Sequence, residues 1–458
     1  MMQWKWVEAH TAERGMSLLR RLADHGYEGY FVGGCVRDEL MGRPINDMDI
    51  ATNATPEQVL ELFEHTVPTG IAHGTVTVIL EGEHFELTTY RTEGQYVDHR
   101  RPEQVEFVSD LYEDLRRRDF TMNAIARGLD GEYVDPFHGR DDLQKGIIRC
   151  VGVPGERFDE DALRMVRGLR FASVFDFELE ADTWAALVER RELIRYIATE
   201  RIRVEMEKMI AGPHPVKGIH LLQKSELVGS MKVHVPCPVA RPELLERLER
   251  VAGEPWVLRW TLIMLALGFN DEAARQALKQ WTFSNAAVDR VVRLLRLHQQ
   301  LLTVAITDTT DTNNDQQIND DEQTNRNNGQ QTNNDMQTDS NSARLTLISG
   351  VIHYGQDTAA LWRQLYPALP EQDRTHVLRQ LYEQAPAWID QMYAYSLADL
   401  CVNGQDVLSA LDTRGGPWLG KLMQQLLLAV ASGQLSNERH TVLQYARTHA
   451  ETGGETDA

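Results

Sequence analysis

Apolar and polar positions follow one rhythm in the first third of the chain and another in the remainder. In GYEGYFVGG (Gly26–Gly34) a short apolar run enters a pair of glycines, which predicts a strand running into a turn. TVTVILEG (Thr75–Gly82) and HFELTTYR (His84–Arg91) alternate with period two and predict a hairpin. From about Gly155 the apolar positions recur at spacings of three and four. FDEDALRMVRGLRFAS (Phe158–Ser173), ADTWAALVERRELI (Ala181–Ile194) and ERIRVEMEKMI (Glu200–Ile210) each predict a helix. Almost nothing beyond that point reads as a strand. The pattern therefore predicts an α/β head, a mixed sheet with helices, followed by a long all-helical remainder. One stretch has no rhythm. Thr307–Ser342 carries only Ile318 and Met336 as apolar residues, cannot bury enough surface to offset chain entropy, and is expected to be a disordered insertion between helices.

The bulk properties narrow the class. With 458 residues the chain exceeds one core, and three or four domains or a long helical array are expected. A hydrophobic share of 42% and a charged share of 25% suit a soluble globular protein. The four cysteines are scattered with no CxxC spacing, which suits a reducing cytoplasm and argues against a zinc site or disulfide scaffold. The N-terminal MMQWKWVEAH has no apolar signal core. The longest apolar run, around Trp260–Phe269, is too short to span a bilayer. A cytoplasmic protein without a membrane partner is expected. The net charge is −21. Between Asp308 and Asp339 eight acids face one arginine, a local −7 that leaves −14 elsewhere. Any nucleic-acid partner would need a concentrated basic path on an acidic whole.

Candidate chemistry starts in GGCVRDELMGRPINDMDIAT (Gly33–Thr52). If the last part is a strand, Asp47 and Asp49 leave from one face and Met48 and Ile50 from the other. Two adjacent carboxylates repel unless a cation lies between them, and a hard oxygen-seeking ion such as Mg²⁺ suits them. Glu86, out of phase with Phe85 and Leu87, would add a third acid if its strand lies beside the first. Three such carboxylates can hold two metal ions about 3.5–4 Å apart, an arrangement suited to phosphoryl transfer. A bare D-x-D is commonly a polar turn. With GG-x-VRD ahead of it the signal sharpens, because Gly33 and Gly34 let backbone N–H groups approach phosphate and Arg37 adds charge.

In RRRDFTMNAIA (Arg116–Ala126), Arg118 is placed to reach a triphosphate and Asp119 to accept from a ribose hydroxyl, with Phe120, Met122 and Ile125 as core. A basic helix start is the plainer alternative. In RFDEDALRMVRGLRF (Arg157–Phe171), Asp161 and Arg164 share a helical face, and Arg167 and Arg170 continue that row. A salt-bridged surface helix explains such spacing too. The functional reading is that a carboxylate beside a guanidinium offers an acceptor next to a donor. Cytosine and adenine present an amino donor beside a ring-nitrogen acceptor, whereas uracil and guanine present the reverse. Such a pair accepts C and A, each bidentate match contributing roughly 1–3 kcal/mol of discrimination.

These stretches, with DPFHGRDDL (Asp135–Leu143), ERIRVEMEKM and, more loosely, VNGQDVL (Val402–Leu408) and GGPWLG (Gly415–Gly420), resemble the successive motifs of class II tRNA nucleotidyltransferases, the CCA-adding enzymes of the polymerase-β-like superfamily, Gram-positive type. The resemblance runs from about Gly26 to Thr448 apart from the insertion. It implies a seahorse-like, elongated architecture: a head at 1–150, a neck at 151–215 with the base-recognition helices, a body at 216–390 with the insertion at about 307–342, and a tail at 391–458 that contacts tRNA. It implies Asp47 and Asp49 as magnesium ligands, Glu86 as the supporting acid, and Gly34, Arg37 and Arg118 as triphosphate and ribose contacts. It also implies Asp161 and Arg164 as the base-reading pair, with Arg167 and Arg170 in the nucleotide pocket. The expected activity is template-independent addition of C, C and A to the 3′ end of tRNA from CTP and ATP. Addition of A alone, a poly(A) polymerase, and an inactive tRNA-binding protein are the alternatives. The loop RTEGQYVDHRRPEQVEF (Arg91–Phe107) looks complete, unlike that of C-only enzymes. Oligomeric state is left open, a homodimer included.

Overall fold

The structure is a computed structural model that describes residues 4–93, 96–97, 101–102, 105–233, 235, 239–251, 255–318 and 331–450. It divides into two compact units, Met1–Pro236 and Cys237–Ala458. Residues 1–150 and 151–215 fall within the first unit.

The first unit is built on a seven-stranded mixed sheet. Helix α1 (Ala9–Asp24) leads into β1 (Gly29–Val32), α2 (Gly34–Met41), β2 (Ile50–Thr52), α3 (Pro56–Leu62), β3 (Thr66–Gly70), β4 (Thr75–Leu80) and β5 (Glu83–Thr89). The short strands Ala126–Arg127 and Tyr133–Val134 extend the sheet beyond β1. β1 pairs antiparallel with β2, β2 parallel with β5, and β4 antiparallel with β5. The expected hairpin is β4–β5. Its two-residue connection, Glu81 and Gly82, has φ of 51° and 86°, the double positive φ that matches strand twist. Phe31, Val76, Val78, Phe85 and Leu87 are buried, and α1 covers them with Leu18, Leu19 and Leu22. α3 starts where the sequence invites it: Thr55 and Gln58 form a reciprocal capping box and Pro56 occupies the first turn.

Seven further α-helices follow among the described residues of this unit: α4 (Leu111–Arg116), α5 (Gly139–Lys145), α6 (Pro154–Glu160), α7 (Leu163–Phe175), α8 (Ala181–Arg190), α9 (Thr199–Ala211) and α10 (Pro215–Lys224). α7 packs against both α9 and α10. One exception to the all-helical expectation is Glu178–Leu179, which pairs in parallel with Ile147–Ile148. Gly139 is required for packing rather than conformation, because a Cβ there would lie 2.1 Å from the carbonyl oxygen of Thr121.

The second unit is helical among the described residues: α11 (Pro242–Leu245), α12 (Pro255–Ala266), α13 (Asp271–Gln280), α14 (Asn285–Ile318), α15 (Gln331–Tyr354), α16 (Gln356–Leu365), α17 (His376–Asp390), α18 (Gly404–Leu411), α19 (Pro417–Ala431) and α20 (Arg439–His449). α14 packs against α12, α13, α15 and α16. VNGQDVL explains itself locally. The Asn403 side chain accepts from Gln405 N at 2.9 Å and Asp406 N at 3.1 Å, and Asp406 accepts from Asn403 N, so the motif caps α18. Val402, Val407, Leu426, Val430 and Val442 form the core behind it.

The polar insertion departs from expectation at its flanks. α14 continues to Ile318 and α15 begins at Gln331, so 307–318 and 331–342 are helical, while 319–330 lie outside the described residues. The reason is cooperativity: nucleation is the costly step, and adding residues to a helix already anchored by a buried core costs little even for poor helix formers.

Candidate active site

The glycine turn and the carboxylates are assembled by β1 and β2. After Val32 the chain turns at Gly33 (φ 71°, ψ −125°) and enters α2. A Cβ on Gly33 would meet Arg118 Nη1 at 3.1 Å and Asp49 Oδ2 at 3.9 Å, so the glycine clears the space the site uses. Asp47 and Asp49 are not inside a strand: β2 begins only at Ile50. The alternation nevertheless starts earlier. Val32 N donates to Asp49 O at 3.0 Å, Met48 and Ile50 are buried, and Asp47 is exposed.

β2 lies beside β5 with Ile50 opposite Leu87, which puts Glu86 in the row next to Asp49. Glu86 is exposed between buried Phe85 and Leu87. The Asp49 carboxyl is pushed up to about 6, first by burial, then by Glu86 and Asp47, against the pull of Arg118 and Arg37. The three acids are thus electrostatic neighbours. Among the described residues, however, no three His, Cys, Asp or Glu side chains converge to hold a metal ion. The donor set itself suits a hard divalent cation: all oxygens, with a mutual repulsion that a cation would relieve.

Arginines surround these carboxylates. Arg37 Nη1 donates to Asn123 Oδ1 at 2.7 Å, and its guanidinium lies over Phe175 at 4.8 Å. Arg118 Nη2 pairs with buried Asp114 at 3.2 Å, and its Nε is buried without a hydrogen-bond partner. Burial opposes ionisation of Asp114, but Arg117 and Arg118 hold it below the usual carboxylate range.

Asp119 is placed differently from its expected ribose role. Oδ1 accepts from Phe120 N at 2.8 Å and Asn123 Nδ2 at 2.9 Å, and Oδ2 accepts from Arg167 Nε at 2.8 Å and Nη2 at 2.7 Å. Those contacts take up the lone-pair sites of a carboxylate. Despite full burial its carboxyl is held down at about 2 by Arg167 and Asn123. Asp119 is an internal anchor.

The expected base-reading pair sits in a different local geometry from the one its spacing suggests. The helix expected to carry both residues is broken: α6 ends at Glu160, Asp161 is extended (φ −137°, ψ 102°), and α7 starts at Leu163. Asp161 caps the new helix by accepting from Leu163 N at 3.0 Å. It pairs not with Arg164 but with Arg201 of α9, at 2.7 Å. Arg164 is buried and pairs with Glu160 at 2.5 Å, while its Nη2 donates to Arg117 O at 2.9 Å. Arg167 and Arg170 continue along α7 as expected. Arg170 Nε reaches buried Glu205 at 2.5 Å, and Arg167 Nη1 lies 3.6 Å from the same carboxylate.

Arg201, Glu205, Asn123 and Asp114 were not singled out from sequence. Arg201 and Glu205 stand four apart in ERIRVEMEKM, a spacing that puts both on one face of α9 toward α7. That spacing was the available signal. Of the cysteines, Cys35 and Cys150 are buried, Cys401 is exposed, and Cys237 lies outside the described residues; the Cys35 thiol donates to Val32 O at 3.3 Å and Asp49 O at 3.9 Å, behind the carboxylates. Part of the loop Arg91–Phe107 also lies outside them; what is described is two short ribbons, Arg91–Glu93 with Val105–Phe107 and Tyr96–Val97 with Arg101–Pro102.

Residues 29–149 match the Poly A polymerase head domain, 176–231 the RNA and SrmB- binding site of polymerase A, and 257–446 the tRNA nucleotidyltransferase domain 2. The chain is 38% identical over 433 residues to a CCA-adding enzyme of Lactiplantibacillus plantarum, covering 93% of this chain and 94% of that one. It is 36% identical over 435 residues to one of Anoxybacillus flavithermus, covering 94% and 96%. Its structure is similar to that of the Bacillus stearothermophilus CCA-adding enzyme in complex with CTP, with a TM-score of 0.73 and 31% identity over 96% of this chain and 98% of that one. The fold is also shared with the Thermotoga maritima CCA-adding enzyme complexed with tRNA, with a TM-score of 0.62 at 19% identity, covering 97% of each chain. By residues, fold and near full-length similarity together, the chain belongs to the CCA-adding enzyme family of nucleotidyltransferases.

Proposed function

We propose that this protein adds C, C and A in turn to the 3′ end of tRNA, using CTP and ATP and releasing pyrophosphate. The observation that carries the reading is a continuous polar chain inside one unit. It runs from Asp49 and Arg118 through Asn123 to Arg37 on one side, and through Asp119 to Arg167, Glu205 and Arg170 on the other. Acids for phosphoryl transfer and arginines for nucleotide recognition are thereby linked, by charge between Asp49 and Arg118 and by hydrogen bonds through the Asn123 backbone oxygen and side-chain amide beyond.

In the reaction the 3′-hydroxyl oxygen of tRNA attacks the α-phosphorus, and the bond from that phosphorus to the bridging oxygen of pyrophosphate breaks. The family uses divalent metal ions generally; here we propose Mg²⁺ held by Asp47 and Asp49 with Glu86 in support. Such an ion, when bound, lowers the pKa of the attacking hydroxyl and neutralises the leaving pyrophosphate. Arg37 and Arg118, beside Gly34 at the start of α2, bind the triphosphate. Asp161 and Arg164 read the base edge, Arg167 and Arg170 complete the pocket, and Asp119 anchors Arg167. The sequence divides into a head (1–150), neck (151–215), body (216–390) and tail (391–458), and tRNA lies on the helical parts. We place the protein in the cytoplasm. Among the described residues no helix is long and apolar enough to cross a membrane.

The test offers tRNA transcripts ending before CCA, after one C, and after CC, each with CTP, ATP or both, and Mg²⁺. Full addition requires C incorporation on the first two and A on the third. Incorporation of A alone on the third transcript identifies an A-adding enzyme. Untemplated runs of A identify a poly(A) polymerase, and no incorporation with intact tRNA binding identifies an inactive binder.

A further inference from the structure

We infer that Arg201 is a positioning residue that governs nucleotide choice by aiming Asp161; the inference rests on the reading that Asp161 and Arg164 select the base. Asp161 lies in extended backbone between α6 and α7, so no helix face fixes the direction of its side chain. Two contacts do. Leu163 N holds Oδ1 at 3.0 Å, and the Arg201 guanidinium forks across the carboxylate, Nη2 to Oδ2 at 2.7 Å and Nη1 to Oδ1 at 3.4 Å. A carboxylate oxygen has two lone pairs, so Oδ2 can accept from Arg201 and from the amino group of cytosine or adenine together.

The fork comes from a different helix than the one it orients. α9 sends Arg201 to Asp161 and, one turn later, Glu205 to Arg167 and Arg170 of α7. The other half of the base-reading edge has its own opposite charge, since Glu160 holds Arg164 at 2.5 Å. Each reading group is therefore clamped by a partner that does not itself match the pairing edge. A purely stabilising role is a weak account of the Arg201–Asp161 pair. Its side chains are 33% and 17% exposed, and ion pairs that reach solvent contribute little to stability.

The experiment measures addition of all four ribonucleotides to tRNA ending before CCA and after CC, in Arg201→Ala, Arg201→Lys, Asp161→Ala and the Arg201→Ala/Asp161→Ala double variant, together with thermal midpoints and tRNA binding. Arg201→Ala is expected to reduce the preference for CTP over UTP and for ATP over GTP by about tenfold, the scale of one lost bidentate match. Midpoint and tRNA binding should stay close to wild type. Arg201→Lys, which keeps the charge without the fork, should fall between. The double variant should be no less selective than Asp161→Ala alone, as expected for residues acting through one another. Equal slowing of all four nucleotides in Arg201→Ala, with preference unchanged, overturns the inference. If Arg201→Ala does not fold, unchanged preference in Arg201→Lys does so. An altered preference in Asp161→Ala with none in either Arg201 variant sinks this inference alone. An unaltered preference in Asp161→Ala removes the base-reading assignment and this inference with it.

Discussion

Single residues decide the chemistry, and they do so through their neighbours. Asp49 is held near its titration range by burial and by Glu86 and Asp47, with Arg118 and Arg37 pulling the other way. Removing either first acid, as Asp47→Ala or Asp49→Ala, should bring nucleotide addition to background while tRNA binding stays near wild type, because tRNA is expected to rest on the helical parts. Gel-shift and incorporation assays on one preparation check both halves, and near-normal turnover at any magnesium concentration would refute the metal assignment. Asp161→Ala and Arg164→Ala should weaken discrimination against UTP and GTP by about 1–3 kcal/mol, roughly ten- to hundredfold, measured as ratios of kcat/KM. Purely structural ion pairs, Asp161 with Arg201 and Arg164 with Glu160, would instead lower stability and leave the ratios alone. In the second unit His298 is buried, accepts from Trp362 Nε1 at 3.4 Å, and is depressed to about 4 by burial, with Asp373 and Arg241 opposing each other. The folded protein keeps this imidazole neutral below the pH at which the unfolded chain protonates it. Its contribution is complete above about pH 6.5 and is lost as pH falls toward 4, a term of roughly 3 kcal/mol. His298→Gln should flatten the fall of the thermal midpoint across that window, and an unchanged pH profile would show that other groups control it.

At the level of elements, periodicity was legible and partnership was not. β4 and β5 show their alternation in sequence because one face is buried, and the Glu81–Gly82 connection has the residues its turn needs. The break between α6 and α7 was hidden. Apolar positions from Phe158 to Phe171 stay in helical phase across it, so no pattern announces that Asp161 is extended. What sets the break is a cap onto Leu163 N and an ion pair with a residue forty positions later. Charges at a spacing of three read as one row, yet Asp161, Arg164, Arg167 and Arg170 each turn to a different carboxylate or guanidinium. Long-range pairing leaves no local trace. The tight approach of α5 to Thr121–Asn123 is equally illegible, although its consequence is testable. Gly139→Ala places a methyl against the backbone oxygen of Thr121, which cannot move without displacing Asn123, the residue bonded to both Arg37 and Asp119. We expect a loss at the upper end of about 1–3 kcal/mol in stability and a raised KM for both nucleotides. A thermal midpoint equal to wild type would show that the turn adapts.

For the whole molecule, the head motifs announced family and chemistry, while the division into two units reflects packing that length alone could not specify. The acidic insertion can be removed as a test. Deleting Thr307–Ser342 and rejoining the helices should hardly move the thermal midpoint, since its composition offers almost nothing to bury. Unfolding of the deletion variant would show that the segment packs. The helical course of its flanks has a further consequence. Ala305 of α14 and Ala343 of α15 are both buried. A helix advances about 1.5 Å per residue, so by Asp315 the chain has travelled about 15 Å from Ala305. Salt at physiological strength screens charge over about 8 Å. The helix backbone at Asp315 therefore stands more than one screening length along its axis from Ala305, and a polyanion bound at that root would barely sense a charge carried there until the surrounding ions are diluted.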